Sequence, residues 1–373
     1  MSSGAHKLEL AAFVLWEGTV IESAKSPALQ VNIAARFASP AQPLDAWPRE
    51  TLVLADGVRV RLEQMAGEVS QPTDAAFAPD SRIFVAEHEG RIRIVRDGQV
   101  QSAPALSLQD FGAAGAHLLA LAVDPAFTRT RYVYAIYTTP LTSGARAFTL
   151  ARFREAAGTL ADQVVLRDRI PSSSAAEGAS LRFGADGKLF AALDDGGIPS
   201  VAGDLASSNG KILRLNPDGS TPPDQAGGTP LYSYPYRSPH GVDWYGPANL
   251  LWMADRDSPS SGRLVAVTAG ADASNLRGVV RAVLTLPRGT LPSSIAFART
   301  KSVAGLRDNL LVASDEGRHL YRLQFDPGNP TRVTATERLL QDQIGGIRLV
   351  ATGPDGVIYL GTASAFGRLV AGE

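Results

Sequence analysis

The 373-residue sequence contains no cysteine, which excludes disulfides, thiolate metal sites and cysteine nucleophiles. It also lacks an excess of charge: 36 Lys and Arg against 37 Asp and Glu give a formal net charge of -1. A nucleic-acid-binding protein would usually carry a basic patch, and none is visible. No apolar run approaches the roughly 20 residues of a membrane span. With 45% hydrophobic and 20% charged residues, the composition is that of an ordinary globular protein.

A convincing export signal is missing from the first residues. The apolar stretch at residues 8–16 is interrupted by Glu9 and closed by Glu17, so it makes a poor signal-peptide core. The absence of cysteine is compatible with the cytoplasm or the periplasm. The residues alone therefore leave the localisation open.

The stretch at residues 177–220 shows how the chain is organised. Its pattern predicts strands at 180–183 and 188–193, joined by the turn Gly-Ala-Asp-Gly at 184–187. Asp-Gly favours a tight reversal because glycine accepts a positive φ without a steric penalty. A third strand is predicted at 211–215 and ends in another Asp-Gly turn. The unit is thus strand, turn, strand, loop, strand, turn.

Variants of this unit recur along the chain and predict an all-β, six-bladed β-propeller. The six units lie at residues 58–98, 120–158, 177–219, 241–268, 294–328 and 347–373. Their length suits propeller blades of about 40–50 residues. The alternative is a pair of β-sandwiches, to which internal repeats of this period are poorly suited.

The ring should be closed by a strand from the first 65 residues that joins the blade at 347–373, because otherwise two sheet edges stay unpaired. We predict an N-terminal β-rich extension at residues 1–57 with one to three strands, and a propeller at residues 58–373.

Five segments, in the right order, resemble the glucose/sorbosone dehydrogenase family. They are DAAFAPDSRIFVAEHEGRIRIVRDG (74–98), LLALAVDPAFTRTRYVYAIYT (118–138), LRFGADGKLFAALDDGG (181–197), NGKILRLNPDGSTPPDQ (209–225) and YSYPYRSPHGVDW (232–244). The resemblance covers about residues 58–373. It implies a six-bladed propeller that binds pyrroloquinoline quinone (PQQ) and calcium and oxidises a sugar or alcohol at the centre of one face. It also implies a periplasmic or secreted protein with a small-molecule partner.

The resemblance implies a set of site residues. Asp195 matches the aspartate that orients the family's catalytic histidine. The alternative is that Asp195 is a turn residue whose carboxylate accepts hydrogen bonds from loop N–H groups. The histidine position itself holds Ala176, so the adjacent Glu177 becomes the candidate replacement base. Arg237 and Arg348 match arginines that contact the cofactor.

Several positions depart from the family pattern. A cofactor-facing lysine is replaced by Glu316, a second arginine by Gly346, and a Gln or Glu by Ala116. The carbonyl groups that hold calcium are replaced near Asp257, where Asp255 and Asp257 could instead offer carboxylate ligands. The alternative is that these two aspartates belong to a polar loop.

The histidines offer further candidates. His240 follows Arg237 on the implied face of the site and is predicted to act as a catalytic acid or base. His117 could join it at a divalent metal, although a hydrogen-bonded structural role is the alternative. His88 and His319 are predicted to be surface or packing residues.

Three functions stay open at this stage. The first is a divergent sugar or alcohol oxidoreductase, with Arg182 and Arg256 as possible replacements for the lost cations. The second is a metal-assisted hydrolase or lactonase, and the third is a non-catalytic binder of carbohydrate or protein. Aromatic side chains that could form the rim of such a binding site are Tyr232, Tyr234, Tyr236, Trp244 and Tyr245.

Overall fold

The chain divides into two compact units, Met1–Pro43 and Leu44–Glu373. The computed structural model describes residues 4–8, 13–16, 19–22, 25–26, 29–33 and 47–372, apart from 66, 173–176, 247–249, 268–279 and 302. The described residues of the first unit include four strands: β1 (Gly4–Leu8), β2 (Phe13–Trp16), β3 (Thr19–Glu22) and β4 (Leu29–Ile33). β1 pairs with β4 and β2 with β3, both antiparallel. The expectation of one to three strands in the extension was too low.

The second unit is built almost entirely of strands. In chain order they are β5 (Leu52–Val53), β6 (Arg59–Gln64), β7 (Pro72–Phe77), β8 (Ile83–Glu87), β9 (Arg91–Arg96), β10 (Gln99–Val100), β11 (Leu106–Ser107), β12 (His117–Val123), β13 (Tyr132–Pro140), β14 (Arg146–Ala156), β15 (Thr159–Ser172), β16 (Ala179–Phe183), β17 (Leu189–Leu193), β18 (Lys211–Leu215), β19 (Leu231–Ser233), β20 (Pro239–Tyr245), β21 (Leu250–Ser258), β22 (Ser261–Val267), β23 (Val280–Thr285), β24 (Ser294–Phe297), β25 (Leu310–Ser314), β26 (His319–Asp326), β27 (Asn329–Leu339), β28 (Leu349–Thr352), β29 (Ile358–Gly361) and β30 (Phe366–Ala371).

Helices are few and short. One α-helical turn, α1, spans Phe127–Thr130, and 3₁₀ turns lie at Leu108–Phe111, Pro199–Gly203, Ala226–Gly228 and Ala304–Leu306. Among the described residues, none of the helices has the length and apolarity needed to cross a lipid bilayer.

Six antiparallel sheets form the six blades of a propeller, as predicted. The first sheet has the order β10-β9-β8-β7, with β11 also paired to β9, and the next four are β12–β15, β16–β19, β20–β23 and β24–β27. The sixth has the order β28-β29-β30-β6-β5. The first strand of each blade contacts the first strand of the next, from β7 through β28 and back to β7.

The ring is closed by a strand from the start of the second unit, as predicted. β6 pairs antiparallel with β30, in a register from Gly367 opposite Gln64 to Ala371 opposite Val60. β5 adds a further short strand to the edge of β6. Trp47 and Leu54 are buried in the core beside this sheet. Residues 47–57, which the sequence placed with the extension, therefore pack with the propeller.

The local sequence pattern predicted the bounds of three strands well. The predicted strands at 180–183, 188–193 and 211–215 correspond to Ala179–Phe183, Leu189–Leu193 and Lys211–Leu215. The turn between the first two needs a glycine at its last position, because Gly187 has a φ of +70°. Asp186 Oδ1 accepts a hydrogen bond of 3.0 Å from the Lys188 amide and completes the reversal.

Among the described residues, the buried hydrophobic side chains form six clusters, one between each pair of neighbouring blades. The largest side chains in them, such as Trp252 and Phe84, are completely buried. Burying a side chain of this kind stabilises the fold by roughly 1.5–3 kcal/mol. Because each cluster joins two blades, the inner strands are fixed around a common axis, and this fixes the loops at their ends.

Candidate functional site

A polar cavity of about 240 Å³ lies where the inner strands of all six blades begin. This volume is slightly below the roughly 300–1,000 Å³ typical of small-molecule sites. Its charged and imidazole side chains are Asp74, His88, Glu177, Arg182, His240, Arg256, Asp315, Glu316 and Arg348. Four carboxylates thus face three guanidinium groups, and the cavity is not cationic.

The position of these residues in the repeat explains why they meet. One group lies at or just before the start of an inner strand, as Glu177 does before β16, His240 in β20 and Arg348 before β28. The other group lies at the end of the second strand of a blade, as His88 and Asp315 do. In an antiparallel pair the start of one strand and the end of the next lie at the same edge.

Glu177 is held by three side chains from the neighbouring blade. Its Oε1 accepts a hydrogen bond of 2.6 Å from the Thr138 hydroxyl and lies 2.6 Å from Nε of Arg146. Its Oε2 lies 2.6 Å from Nδ1 of His117. Because an ionised carboxylate only accepts, Nδ1 of His117 carries the hydrogen.

His88 stands next to this group. Its ring centroid lies 4.2 Å from that of His117, with the ring planes inclined by 33°. Burial first, and then the neighbouring His117, lower the pKa of His88 to about 4. His88 is therefore a neutral imidazole at neutral pH. The expectation that it is only a surface or packing residue was wrong, since it lines the cavity.

Each arginine of the cavity is paired with a carboxylate. The pairs are Arg182 with Asp74 at 2.7 Å, Arg256 with Glu316 at 3.2 Å, and Arg348 with Asp315 at 2.7 Å. Such pairing consumes guanidinium donors that could otherwise bind an anionic ligand. Nε of Arg348 is the exception, since it is buried and has no hydrogen-bond partner.

His240 lines the same cavity and is half-buried. Its Nε2 lies 3.0 Å from the Ser238 hydroxyl. Burial, and after it the positive charge of Arg256, hold the pKa of His240 well below its usual value. His240 is thus a neutral hydrogen-bonding group in the cavity wall, and it takes no part in the contacts of His88 and His117 described above.

Two predicted site residues lie outside the cavity lining. Asp195 is buried, and its Oδ1 accepts a hydrogen bond of 2.8 Å from the Gly197 amide, as a turn aspartate does. Arg237 is exposed, and its guanidinium donates to the backbone oxygen of Asp257 at 3.3 Å. Their assignments to catalysis and cofactor binding stay predictions.

The predicted calcium ligands Asp255 and Asp257 also lie outside the lining. Asp255 is fully buried and accepts hydrogen bonds from the amide of Ser238 and from the guanidinium of Arg263. Burial nevertheless raises the pKa of Asp255. Asp257 has one buried oxygen, Oδ1, without a hydrogen-bond partner. Among the described residues, neither belongs to a group of three or more His, Asp or Glu at ligand distance.

Sequence reasoning missed most of the contacts of the site. Ala176, the position of the absent family histidine, lies outside the described residues. The proposed aromatic rim is not supported, because Tyr236 and Tyr245 are buried and both Tyr232 and Trp244 pack edge-on against Phe190. Aligning the six units by strand position would have found His88, which follows its second strand as Asp315 does in the fifth unit.

The family model for glucose/sorbosone dehydrogenase matches residues 69–272 and 260–371. The aldose sugar dehydrogenase YliI of Escherichia coli K12 is 24% identical over 344 residues, covering 83% of this chain and 92% of that protein.

Two solved structures share the fold. An oxidoreductase of Thermus thermophilus, assigned as a glucose dehydrogenase, is 27% identical, with a TM-score of 0.70 over 83% of this chain and all of that one. The PQQ-bound aldose sugar dehydrogenase of Streptomyces coelicolor is 22% identical, also with a TM-score of 0.70, over 88% of this chain and all of that one.

Proposed function

Because the chain belongs to the glucose/sorbosone dehydrogenase family, we propose that it oxidises a neutral monosaccharide or sugar alcohol bound in the central cavity. The observation that carries this proposal is the lining itself. Four carboxylates, three guanidinium groups and two imidazoles together line a small polar cavity. Sugar hydroxyls both donate and accept hydrogen bonds, so a mixed lining of this kind suits them better than it suits an anionic ligand.

Glu177 is the group that takes the hydroxyl proton. It is the lining carboxylate that is hydrogen-bonded to an imidazole, with 2.6 Å between its Oε2 and Nδ1 of His117. A base removes the hydroxyl proton while the hydride leaves the carbon. This is general base catalysis, which is worth typically 10²–10⁴-fold in rate. Thr138 and Arg146 fix the carboxylate in one orientation, which lowers the entropy cost of the step.

The residues present do not fit PQQ. That quinone carries three carboxylates, and the cavity offers three arginines that are already paired and four carboxylates that would repel it. Glu316 stands where the family resemblance implies a cofactor-facing lysine. Calcium binding through Asp255 is equally poorly supported, because its oxygens accept from backbone amides and Arg263. We therefore propose that the hydride acceptor is a quinone of lower negative charge.

The test separates substrate class from cofactor class. Purified full-length protein is titrated calorimetrically with a panel of aldoses and sugar alcohols, and then with PQQ with and without calcium. Sugar oxidation is followed by reduction of a phenazine dye, with uncharged quinones supplied as acceptors. We expect sugar binding, weak PQQ binding, and a loss of at least 100-fold in turnover in Glu177→Gln.

Asp168→Asn is the matched control, because this carboxylate is 57% exposed on the outer strand β15. It should leave turnover unchanged. Absence of binding by every neutral sugar would refute the substrate class. Tight PQQ binding with sugar-dependent dye reduction would refute the argument from cavity charge.

A further inference from the structure

Three side chains, two of them in the cavity wall and the third directly behind Glu177, converge as metal ligands do. One ligand atom from each of His88, His117 and Glu177 lies within 4.8 Å of the other two. Among the described residues they are the only group of three or more His, Asp or Glu that meets this criterion. They come from three blades, since His88 follows β8, His117 opens β12 and Glu177 precedes β16.

We propose that His88, His117 and Glu177 form a binding site for one divalent transition-metal ion of the zinc class. Two imidazoles and one carboxylate are a known ligand set for zinc sites that keep a fourth position open. Imidazole ligands also favour zinc, copper and nickel over calcium, which takes six to eight oxygens. The site differs from the calcium position implied by the family resemblance, which falls near Asp257.

The surroundings of Glu177 support this role. Its Oε1 is occupied by Thr138 and Arg146, whereas Oε2 faces the imidazole of His117. Carboxylates that bind a metal through one oxygen are commonly hydrogen-bonded through the other, which fixes their orientation. In the metal-free protein, the 2.6 Å contact between Oε2 and Nδ1 holds a hydrogen that an ion would displace.

The nearby positive charges do not prevent binding of a cation. Arg146 contacts Oε1 of Glu177 and leaves Oε2 to the ion, and Arg348 donates to Asp315 at 2.7 Å. Ligand atoms around a tetrahedral ion at about 2.0–2.1 Å lie roughly 3.4 Å apart. Small rotations of the two imidazole rings, whose centroids are now 4.2 Å apart, would bring the ligand atoms to that spacing.

The ion would have a function in the pocket. His88 and Glu177 line the cavity, so the open coordination position faces the place where a ligand binds. A hydroxyl bound to a divalent ion loses its proton more readily. This role rests on the proposed function, whereas the binding of the ion does not.

The experiment uses tag-free, full-length protein dialysed against a chelator. Zinc and calcium are titrated calorimetrically, and cobalt(II) is added separately to record the visible absorption of a four-coordinate site. We expect one zinc ion with a Kd at or below the micromolar range, little calcium binding, and at least tenfold weaker zinc binding in His88→Ala and in His117→Ala. His240→Ala, in the same cavity but outside the cluster, should bind zinc like the wild type.

Circular dichroism and thermal unfolding check that each variant is folded, and His88→Asn replaces any His88→Ala protein that is not. The proposal is overturned if zinc does not bind, or if both histidine variants retain the wild-type affinity. Sugar binding measured in chelator separates the two proposals. If the wild type binds sugar but no zinc, only the metal inference is refuted. If the wild type binds zinc but no sugar, only the proposed substrate is refuted.

Discussion

Glu316 offers the most direct way to change the affinity of the cavity for anions. Its side chain is 62% exposed and lies 3.2 Å from Arg256. Glu316→Lys replaces a negative charge by a positive one and releases Arg256 from its partner. The lining would then hold three carboxylates and four cationic side chains, in place of four and three. We expect PQQ to bind the variant more tightly than the wild type.

The size of the effect follows from Coulomb's law with strong solvent screening. At a separation of about 8 Å and an effective dielectric constant of about 40–80, two unit charges interact by roughly 0.5–1 kcal/mol. The high dielectric constant is appropriate because the side chain is largely exposed. A change of two charge units, counted against the nearest of the three PQQ carboxylates alone, therefore gives at least about 1–2 kcal/mol, or roughly a 5- to 30-fold decrease in Kd.

The assay is calorimetric titration of PQQ into wild type, Glu316→Lys and Asp168→Lys, at low salt and at 0.5 M NaCl. Asp168→Lys makes the same change of net charge on an outer strand. Its affinity should stay near that of the wild type. The gain in Glu316→Lys should shrink in high salt because exposed charges are screened. Equal gains in both variants, or tight wild-type binding at high salt, would refute the reasoning.

Three further predictions concern stability. Glu155→Gln, which removes the charge paired with buried Arg82 at 2.7 Å, should lower the free energy of unfolding in urea by about 2–4 kcal/mol. The hydrogen bond from Arg82 lowers the pKa of Glu155 below its ordinary 4.5, so this contribution is present above about pH 4.5 and lost as the pH falls through the folded-state pKa. The stability difference between wild type and Glu155→Gln should therefore shrink in acid, and a pH-independent difference would contradict this. Arg322→Met, which removes a fully buried guanidinium bound to Asp56 beside the closing strand, should cost about 3–5 kcal/mol, and Arg332→Met, at an exposed pair, less than 1 kcal/mol.

The fold could be predicted because its signals are local. Alternating apolar residues and Asp-Gly turns specify each hairpin within about 20 residues, and the same signals recur six times. The closing strand was predictable for another physical reason: an open ring would leave unpaired edges. The strands of residues 4–33 were harder to count, because that segment does not follow the repeat.

The site could be predicted only in part because its contacts are not local. Glu177, His240 and Arg348 were identified from their matches or neighbours in the sequence, and they do line the cavity. His88 meets Glu177 across 89 residues of sequence, and no spacing rule connects them. Asp195 accepts a hydrogen bond from the Gly197 amide, and an Asp-Gly-Gly pattern that serves a turn is indistinguishable in sequence from one that serves catalysis, so its catalytic role stays a prediction.

The departures of the site from the family pattern are coupled to one another. Asp315 binds Arg348, the one predicted cofactor arginine that lines the cavity. The same carboxylate occupies the space beside Gly346, where a Cβ would collide with Asp315 Oδ1 and lie 2.6 Å from its backbone oxygen. The second arginine that the resemblance implies at this position therefore cannot be accommodated while Asp315 stays in place. Because one carboxylate both neutralises the first arginine and occupies the place of the second, we expect that introducing an arginine at 346 requires a change at 315 as well.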